Sequence, residues 1–151
     1  MRAMALTLRG VQAADYEGWV QLWHGYQQFY GVAIPTQTTS VTWQRLLDPA
    51  EPMFGALAIT EGRSVGLVHY IIHRSCWTIG DYCYLQDLFV SGDCRGKGVG
   101  RSLIEYVYEA AKAASCSRVY WLTHETNSDA MLLYERIAER SGFLQYRKIL
   151  G

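Results

Sequence analysis

The pattern of apolar and polar positions changes character along the chain. Segment 4–11 alternates with a period of two, which predicts a strand. Segments 13–31 and 38–49 carry apolar residues at the spacing of a helix face, and the first of them ends at Gly31. The chain is therefore predicted to open with one strand followed by two helices.

The period returns to that of strands after residue 50. Segments 53–60, 64–73 and 82–90 are rich in apolar, β-branched and aromatic residues, and short turn-like stretches separate them. Connections of this length cannot make the crossovers that parallel strands need. We therefore predict three consecutive antiparallel strands.

The second half of the chain predicts two further helices and two further strands. One helix follows residue 98, with an apolar face made of Val99, Leu103, Val107, Ala110 and Ala114. A strand over 117–124, a helix over 127–142 and a strand over 143–150 complete the chain. The predicted order is β-α-α-β-β-β-α-β-α-β. This order indicates one α/β domain over residues 1–151, with a mixed, largely antiparallel central sheet flanked by helices.

Composition restricts the class of protein. The chain has 151 residues, of which half are apolar, and its 14 basic residues balance its 14 acidic residues. This composition suits a globular domain with a hydrophobic core. A general nucleic-acid or membrane-surface binder would usually carry a basic excess, so we expect neither partner.

Features that set the compartment point to the cytoplasm. The N-terminus lacks the apolar stretch of a signal peptide, and no apolar run is long enough to cross a bilayer. Cys76, Cys83, Cys94 and Cys116 are far apart and form no C-x-x-C motif. We interpret them as free thiols in a reducing compartment and expect a cytoplasmic protein.

A loop rich in glycine joins the third antiparallel strand to the following helix. In this glycine loop, residues 95–100 with the sequence RGKGVG, three glycines alternate with other residues, and Arg95, Lys97 and the adjacent Arg101 add positive charge. The first N–H groups of a helix lack internal partners, and together with the helix dipole they form an anion site. A pyrophosphate group would fit this loop.

Other motifs for phosphates, nucleophiles and metals match less well. The loop lacks the spacing of a P-loop and of the dinucleotide fingerprint G-x-G-x-x-G. Segment 62–66, GRSVG, has the spacing of a nucleophile elbow, but the residues after Ser64 predict a strand, so we expect a hairpin turn there. His69 and His73 could share one strand face. No third possible ligand has the spacing of a known metal-binding motif, so we expect no metal.

Two segments resemble one family. The glycine loop matches the signature [QR]-x-x-G-x-[GA] of the GCN5-related N-acetyltransferases, the GNAT superfamily. A second motif of this superfamily often reads N-x-x-A-x-x-x-Y-x-x-x-G-F; Asn127, Ala130 and Tyr134 match it, whereas residues 137–141 are additional before Gly142. The resemblance covers most of the chain. It is strongest to the fungal histone and polyamine acetyltransferases, whose kin also acetylate amino acids.

The resemblance implies that acetyl-CoA is the co-substrate. The backbone of Leu88, Phe89 and Val90 would pair with the pantetheine amides as an added strand does. The pyrophosphate would lie on a set of residues at the loop and the first helical turn: Arg95, Gly96, Lys97, Gly98, Val99, Gly100, Arg101 and Ser102. Asn127 would reach the pantetheine arm or simply cap its helix. Arg136 would contact the 3′-phosphate or remain a solvated surface cation.

The same resemblance suggests catalytic residues. Tyr134 matches the family's general acid, which protonates the leaving thiolate, although its helical spacing also fits a core aromatic. Strict alternation places Asp87 on one face of its strand with Leu85 and Phe89, and Gln86 on the other. Related enzymes often carry Glu where Gln86 stands.

Because glutamine cannot serve as a base, Asp87 is the next candidate. It would act as a base through water, as a counter-charge for an ammonium group, or as a structural carboxylate. His124 and the adjacent Glu125 are weaker candidates for the base.

The expected function is acetyl transfer to a primary amine of a small molecule, such as a polyamine or an amino-acid-like compound. Aromatic residues of the first two helices would wall the acceptor pocket or serve as core: Trp19, Trp23, Tyr26, Phe29, Tyr30 and Trp43. Acetylation of protein lysines or N-termini, and non-catalytic sensing of acyl-CoA, are the alternatives. The C-terminal segment often pairs across a dimer in relatives, so we expect a homodimer.

Overall fold

The structure, a computed structural model, describes residues 5–151 and contains five strands and four helices. The strands are β1 (Thr7–Gly10), β2 (Met53–Thr60), β3 (Arg63–His73), β4 (Tyr82–Val90) and β5 (Arg118–Tyr120). The helices are α1 (Tyr16–Tyr30), α2 (Thr36–Leu47), α3 (Val99–Ala113) and α4 (Ser128–Ile137). Within residues 5–151, no helix has the length and apolar character needed to cross a bilayer.

The chain divides into two compact units. The first ends at Trp121 and holds the whole sheet with α1, α2 and α3, and the second runs from Leu122 to Gly151 and holds α4. The prediction of one domain over residues 1–151 remains a prediction. Position 4 of the first predicted strand lies outside the described residues.

The five strands form one sheet in the order β1-β2-β3-β4-β5. The first four are antiparallel to their neighbours, and β5 runs parallel to β4. This arrangement confirms the predicted fold class and the three antiparallel strands. Glu61 and Gly62 form the two-residue turn between β2 and β3, both with positive φ, so GRSVG is a hairpin turn as predicted and Ser64 lies in β3.

One side of the sheet, here called the aromatic face, packs against α1 and α2. Its core cluster comprises Trp19, Leu22, Trp23, Trp43, Leu46, Leu57 and Leu67. Helix α1 approaches the sheet closely at Gly25, where a Cβ would lie 2.8 Å from the ring of Phe89. Gly31, in the left-handed conformation, ends α1 as its position in the sequence predicts.

The opposite side, here called the aliphatic face, packs against α3. The buried residues of this helix are Val99, Leu103, Ile104, Val107 and Ala111. Val99 and Leu103 lie against Gly66 of β3, and Gly100 lies against Leu88 and Val90 of β4. The two faces therefore differ in side-chain chemistry although they share the same strands.

The end of the chain differs from the prediction. Helix α4 ends at Ile137, five residues before Gly142, and residues 138–151 form no strand, so the predicted strand over 143–150 is wrong. A strand needs a neighbour that accepts its ladder hydrogen bonds, and this segment has none within the described sheet. Its apolar side chains are 72 to 91 % exposed: Phe143, Leu144, Tyr146, Ile149 and Leu150.

Candidate active site

The glycine loop leads directly into α3. A short 3-10 turn over Gly92–Cys94 follows β4, and α3 begins at Val99. Gly96 and Gly98 have φ of 76° and 82°, the left-handed region that side chains disfavour. Ser102 N–H donates to the carbonyl of Gly98 at 3.0 Å, so the three preceding helical N–H groups lie at the open end of the helix. This geometry suits an anion such as pyrophosphate.

The three cations near this loop have different surroundings. The Nε of Arg95 donates to the carbonyl of Val90 at 3.1 Å. Its guanidinium carbon lies 4.8 Å from the ring centre of Phe29 and 5.4 Å from that of Phe89. Arg101, in the first turn of α3, pairs with Glu105 at 2.9 Å, and Lys97 is exposed in the loop. The side chain of Arg95 is thus stacked on aromatic rings, and its role toward pyrophosphate stays a prediction.

Strand β4 is paired along one edge but only partly along the other. Strand β3 pairs with it as far as Val90, whereas β5 pairs only from Tyr82 to Tyr84. Within the described sheet, the β5-side edge of Leu88, Phe89 and Val90 has no neighbouring strand. An extended ligand with amide groups could hydrogen-bond to such an edge as an added strand does.

A β-bulge at Gln86 changes which side chains of β4 share a face. Tyr70 pairs with Leu85, but the preceding residue His69 pairs with Asp87, so Gln86 is the extra residue and is exposed. Asp87 and Phe89 lie on the aromatic face, while Leu85 lies opposite. The predicted common face of Leu85, Asp87 and Phe89 is therefore wrong, because a bulge interrupts the alternation on which it rested.

Asp87 lies in a hydrogen-bonded, largely buried environment. Its carboxylate oxygen Oδ2 is 3.0 Å from Nδ1 of His69, and the indole Nε1 of Trp19 donates to Nε2 of His69 at 2.9 Å. Asp87 is 9 % exposed, His69 5 % and Trp19 0 %. The hydroxyl of Tyr26 lies close enough to Asp87 to feel its charge.

Tyrosine side chains surround this carboxylate. Burial, and then the charge of Asp87, raise the pKa of Tyr26, Tyr30 and Tyr84, which keeps their hydroxyls protonated as hydrogen-bond donors. Among residues 5–151, no Lys or Arg nitrogen lies within 4 Å of the Asp87 carboxylate. The site therefore holds a carboxylate among neutral donors, and an added cation would be stabilised there.

The second unit carries the remaining predicted site residues. Asn127 occupies the N-cap position of α4, but its side chain makes no capping hydrogen bond. Tyr134 lies half-buried in α4, while Glu125 and Arg136 are exposed. His124 forms a hydrogen bond with a neighbour in the sequence: its Nδ1 lies 2.7 Å from the hydroxyl of Thr126. The roles predicted for these residues toward cofactor and thiolate remain predictions.

The sequence did not indicate the contact between His69 and Asp87. Only the register between β3 and β4 brings them together, and that register depends on the bulge. The two histidines considered as a metal pair have separate surroundings, since His69 is buried on the aromatic face and His73 is exposed and 2.7 Å from the hydroxyl of Tyr120. An excess of aromatic residues in segment 13–31 was the one signal that this face is unusual.

Comparisons with known proteins identify the family. The model of the acetyltransferase (GNAT) family matches residues 19–138. D-amino-acid N-acetyltransferase HPA3 of Saccharomyces cerevisiae is 36 % identical over 145 residues, covering 95 % of this chain and 90 % of the relative. Thialysine N-epsilon-acetyltransferase of Mus musculus is 33 % identical over 88 residues, covering 55 % of this chain and 51 % of the relative.

Solved structures share the fold. The structure of AAC(6′)-Iy with the bisubstrate analogue CoA-S-monomethyl-acetylneamine superimposes with a TM-score of 0.82 at 19 % identity, covering 97 % of this chain and 99 % of that one. The metagenomic aminoglycoside acetyltransferase HMB0005 gives a TM-score of 0.82 at 18 % identity, covering 98 % and 100 %. The chain belongs to the acetyltransferase (GNAT) family, which uses acetyl-CoA as co-substrate, and it is an N-acetyltransferase.

Proposed function

We propose that this chain transfers the acetyl group of acetyl-CoA to a primary amine of a small molecule, either an amino-acid-like compound or a polyamine. The observation that carries this proposal is Asp87, a buried carboxylate with no Lys or Arg partner in the described part of the chain. An acceptor that arrives as an ammonium ion would supply the missing positive charge. The names of the yeast and mouse relatives, which specify D-amino acids and thialysine, support a small amine.

In this proposal, acetyl-CoA binds along β4 and at the start of α3. The open edge of Leu88, Phe89 and Val90 would hydrogen-bond with the pantetheine amides. The N–H groups from Gly96 to Arg101, with the charges of Lys97 and Arg101, would hold the pyrophosphate, whereas the Ser102 N–H is already bonded to the Gly98 carbonyl. Asn127, whose side chain is not used as a helix cap, would donate to the pantetheine arm.

The chemistry is the attack of an amine nitrogen on a thioester carbon. An alkyl ammonium has a pKa near 10.4, so forming the neutral amine at pH 7 costs about 4–5 kcal/mol. As the C–N bond forms, the C–S bond breaks, and the CoA thiolate takes a proton that we assign to the hydroxyl of Tyr134. The proton lost from the amine nitrogen passes through water and restores that hydroxyl. Asp87 assists either as a counter-charge for the incoming ammonium or as a base through water.

The test is an assay of thiol release from acetyl-CoA. The panel of acceptors comprises amino acids of both hands, polyamines, aminoglycosides and a histone-tail peptide. We expect turnover with one class of small amine. Tyr134→Phe should lower kcat by roughly 10²- to 10⁴-fold, the range for loss of a general acid. Tyr146→Phe is the matched control, because that tyrosine lies in the same unit and is 91 % exposed.

Each alternative function gives a different outcome. Turnover with the histone-tail peptide alone would replace the proposal with protein acetylation. No turnover, together with a higher melting temperature in acetyl-CoA, would instead support an acyl-CoA sensor. Unchanged kcat in Tyr134→Phe would remove that residue from the mechanism while leaving the transferase activity in place.

Two finer properties also belong to this proposal. We propose a homodimer, because segment 143–150 exposes apolar side chains and its backbone lacks a partner strand among the described residues. Sedimentation of a monomer at micromolar concentration would contradict it.

We also propose a cytoplasmic location. The four cysteines support it, because none of them forms a disulfide within the described residues.

A further inference from the structure

The row Trp19–His69–Asp87 links α1, β3 and β4 across the aromatic face. Its two hydrogen bonds measure 2.9 Å and 3.0 Å. All three residues are buried, with exposed fractions between 0 and 9 %. Trp23 and the partly buried Tyr26 lie beside it, with the ring of Trp23 4.9 Å from that of His69. Among side chains, only a neutral imidazole carries one N–H donor and one nitrogen acceptor on the same rigid ring, which suits it to connect these two partners.

The direction of each hydrogen bond follows from Trp19. An indole N–H can only donate, so Nε2 of His69 must accept and carries no proton. The proton of the neutral imidazole is then on Nδ1, and it is donated to Oδ2 of Asp87. Trp19 thereby fixes both the tautomer and the orientation of His69.

We propose that His69 is a positioning residue that holds the Asp87 carboxylate as the ammonium-binding group for the acceptor amine. This inference deepens the proposed function and rests on it. An ionised carboxylate offers about four acceptor positions. His69 uses one of them, and the positions that remain are available to a cationic nitrogen.

The same geometry excludes His69 as the general base. Its Nδ1 already carries a proton, and its Nε2 lone pair accepts the indole N–H, so neither nitrogen is available to the amine. Of the two roles left open for Asp87, the row favours the counter-charge, because Oδ2 accepts the Nδ1–H of His69 and the nearby hydroxyls of Tyr26, Tyr30 and Tyr84 stay protonated. His69 and Trp19 therefore influence substrate binding without touching the reacting atoms.

A tautomer measurement tests this inference without any substrate. Long-range ¹H–¹⁵N spectra of the histidine-labelled protein at neutral pH should show His69 with Nδ1 protonated and Nε2 unprotonated. Trp19→Phe should release this restriction and shift the signals toward a mixture of tautomers. Trp23→Phe is the matched control, since its indole nitrogen makes no hydrogen bond in the described part of the chain. A wild-type His69 protonated on Nε2 would overturn the inference.

Kinetics of two His69 variants test the positioning role. His69→Asn keeps an N–H donor near the position of Nδ1, whereas His69→Leu removes it. We expect His69→Leu to raise the KM for the amine about tenfold, roughly the effect of one lost charge-assisted hydrogen bond, and to leave the KM for acetyl-CoA unchanged. His69→Asn should restore most of the amine affinity, and His73→Asn, four residues along the same strand, should have no effect.

The outcomes separate this inference from the proposed function. Equal loss in both His69 variants, or a change confined to the KM for acetyl-CoA, would reject the positioning role. Melting curves of each variant show whether it is folded, and the wild-type tautomer measurement decides the assignment even if His69→Leu does not fold. Absence of turnover with every amine would reject the proposed function, while the spectra would still confirm or reject the locked tautomer.

Discussion

The two faces of the sheet show how one set of strands serves two purposes. On the aliphatic face, α3 buries only carbon side chains such as Leu103, Ile104 and Val107. On the aromatic face, α1 buries a polar row that ends at a carboxylate, and Trp23 and Gln27 contain buried nitrogens without a partner in the described residues. Buried polar groups generally reduce stability unless they are fully bonded. The aliphatic face is thus a core of carbon side chains, whereas the aromatic face combines a hydrophobic core with the polar row on which the proposed acceptor site depends.

The largest effect that this comparison predicts is on stability, from the aliphatic face. Leu103→Ala removes a fully buried side chain and leaves a cavity beneath α3, so the free energy of unfolding should fall by about 2–5 kcal/mol. The kcat and the KM for the amine, measured per folded molecule, should stay within about twofold of the wild type because Leu103 lies across the sheet from Asp87. Urea unfolding and steady-state kinetics provide the two measurements.

A leucine outside any core supplies the control for Leu103. Leu132 of α4 is 62 % exposed, and Leu132→Ala should change the free energy of unfolding by less than about 0.5 kcal/mol. A tenfold rise in the KM for the amine in folded Leu103→Ala would contradict this division between the two faces, since it would show that the aliphatic face also shapes the acceptor site.

The sequence predicts the aliphatic face more completely than the aromatic face. The helical spacing of Val99, Leu103 and Val107 identifies the buried side of α3, because carbon side chains need only the correct period to form a core. The predicted Ala110 and Ala114 are not buried, and Ile104 and Ala111 complete this side instead. The glycine loop is also predicted from neighbouring residues, because it directly precedes α3 in the sequence. Such features can be derived from neighbouring residues alone.

Features that depend on distant pairing could not be derived in this way. The contact of His69 with Asp87 requires the register of β3 and β4 and the extra residue Gln86, and nothing in the local pattern marks a bulge. The segment 143–150 shows the opposite error. It has the alternation of a strand, but a strand forms only where a neighbour completes its hydrogen bonds, and residues 5–151 supply none.

The next effect distinguishes two tryptophans within the aromatic face. Trp19 and Trp23 are both buried in α1, but only the indole of Trp19 has a hydrogen-bond partner among the described residues. Trp19→Phe leaves Nε2 of His69 without its donor, whereas Trp23→Phe removes a nitrogen that had no partner. Trp19→Phe should therefore lower the free energy of unfolding by about 1–2 kcal/mol more than Trp23→Phe does.

Urea unfolding of the two variants under identical conditions measures this difference. The shared substitution cancels most of the cost of replacing an indole by a smaller ring, so the comparison isolates the hydrogen bond. Equal losses would mean that the polar row adds no stability, and the aromatic face would then resemble the aliphatic face in depending on packing alone.

The smallest effect concerns a charge pair where α1 begins. Arg9 of β1 contacts both oxygens of Asp15, at 2.6 Å and 2.9 Å, and this hydrogen bonding lowers the pKa of Asp15. A lowered pKa means that folding favours the ionised carboxylate, so its contribution is complete above the unfolded value of about 3.9 and is lost as the pH falls through the folded value. Asp15→Asn should lower the free energy of unfolding at pH 7 by about 0.5–1 kcal/mol.

The pH dependence of that difference shows whether the charge of Asp15 contributes to stability. The gap between wild type and Asp15→Asn should be constant from neutral pH down to about pH 5 and then narrow as the wild-type carboxylate becomes protonated. Asp93→Asn is the matched control, because Asp93 pairs with Arg63 in a more exposed position and should show a smaller gap that salt removes. Urea unfolding at several pH values measures both variants. If the gap for Asp15 persisted undiminished at low pH, the loss would come from the altered turn before α1 and not from the charge, and the link between β1 and α1 would depend on backbone geometry alone.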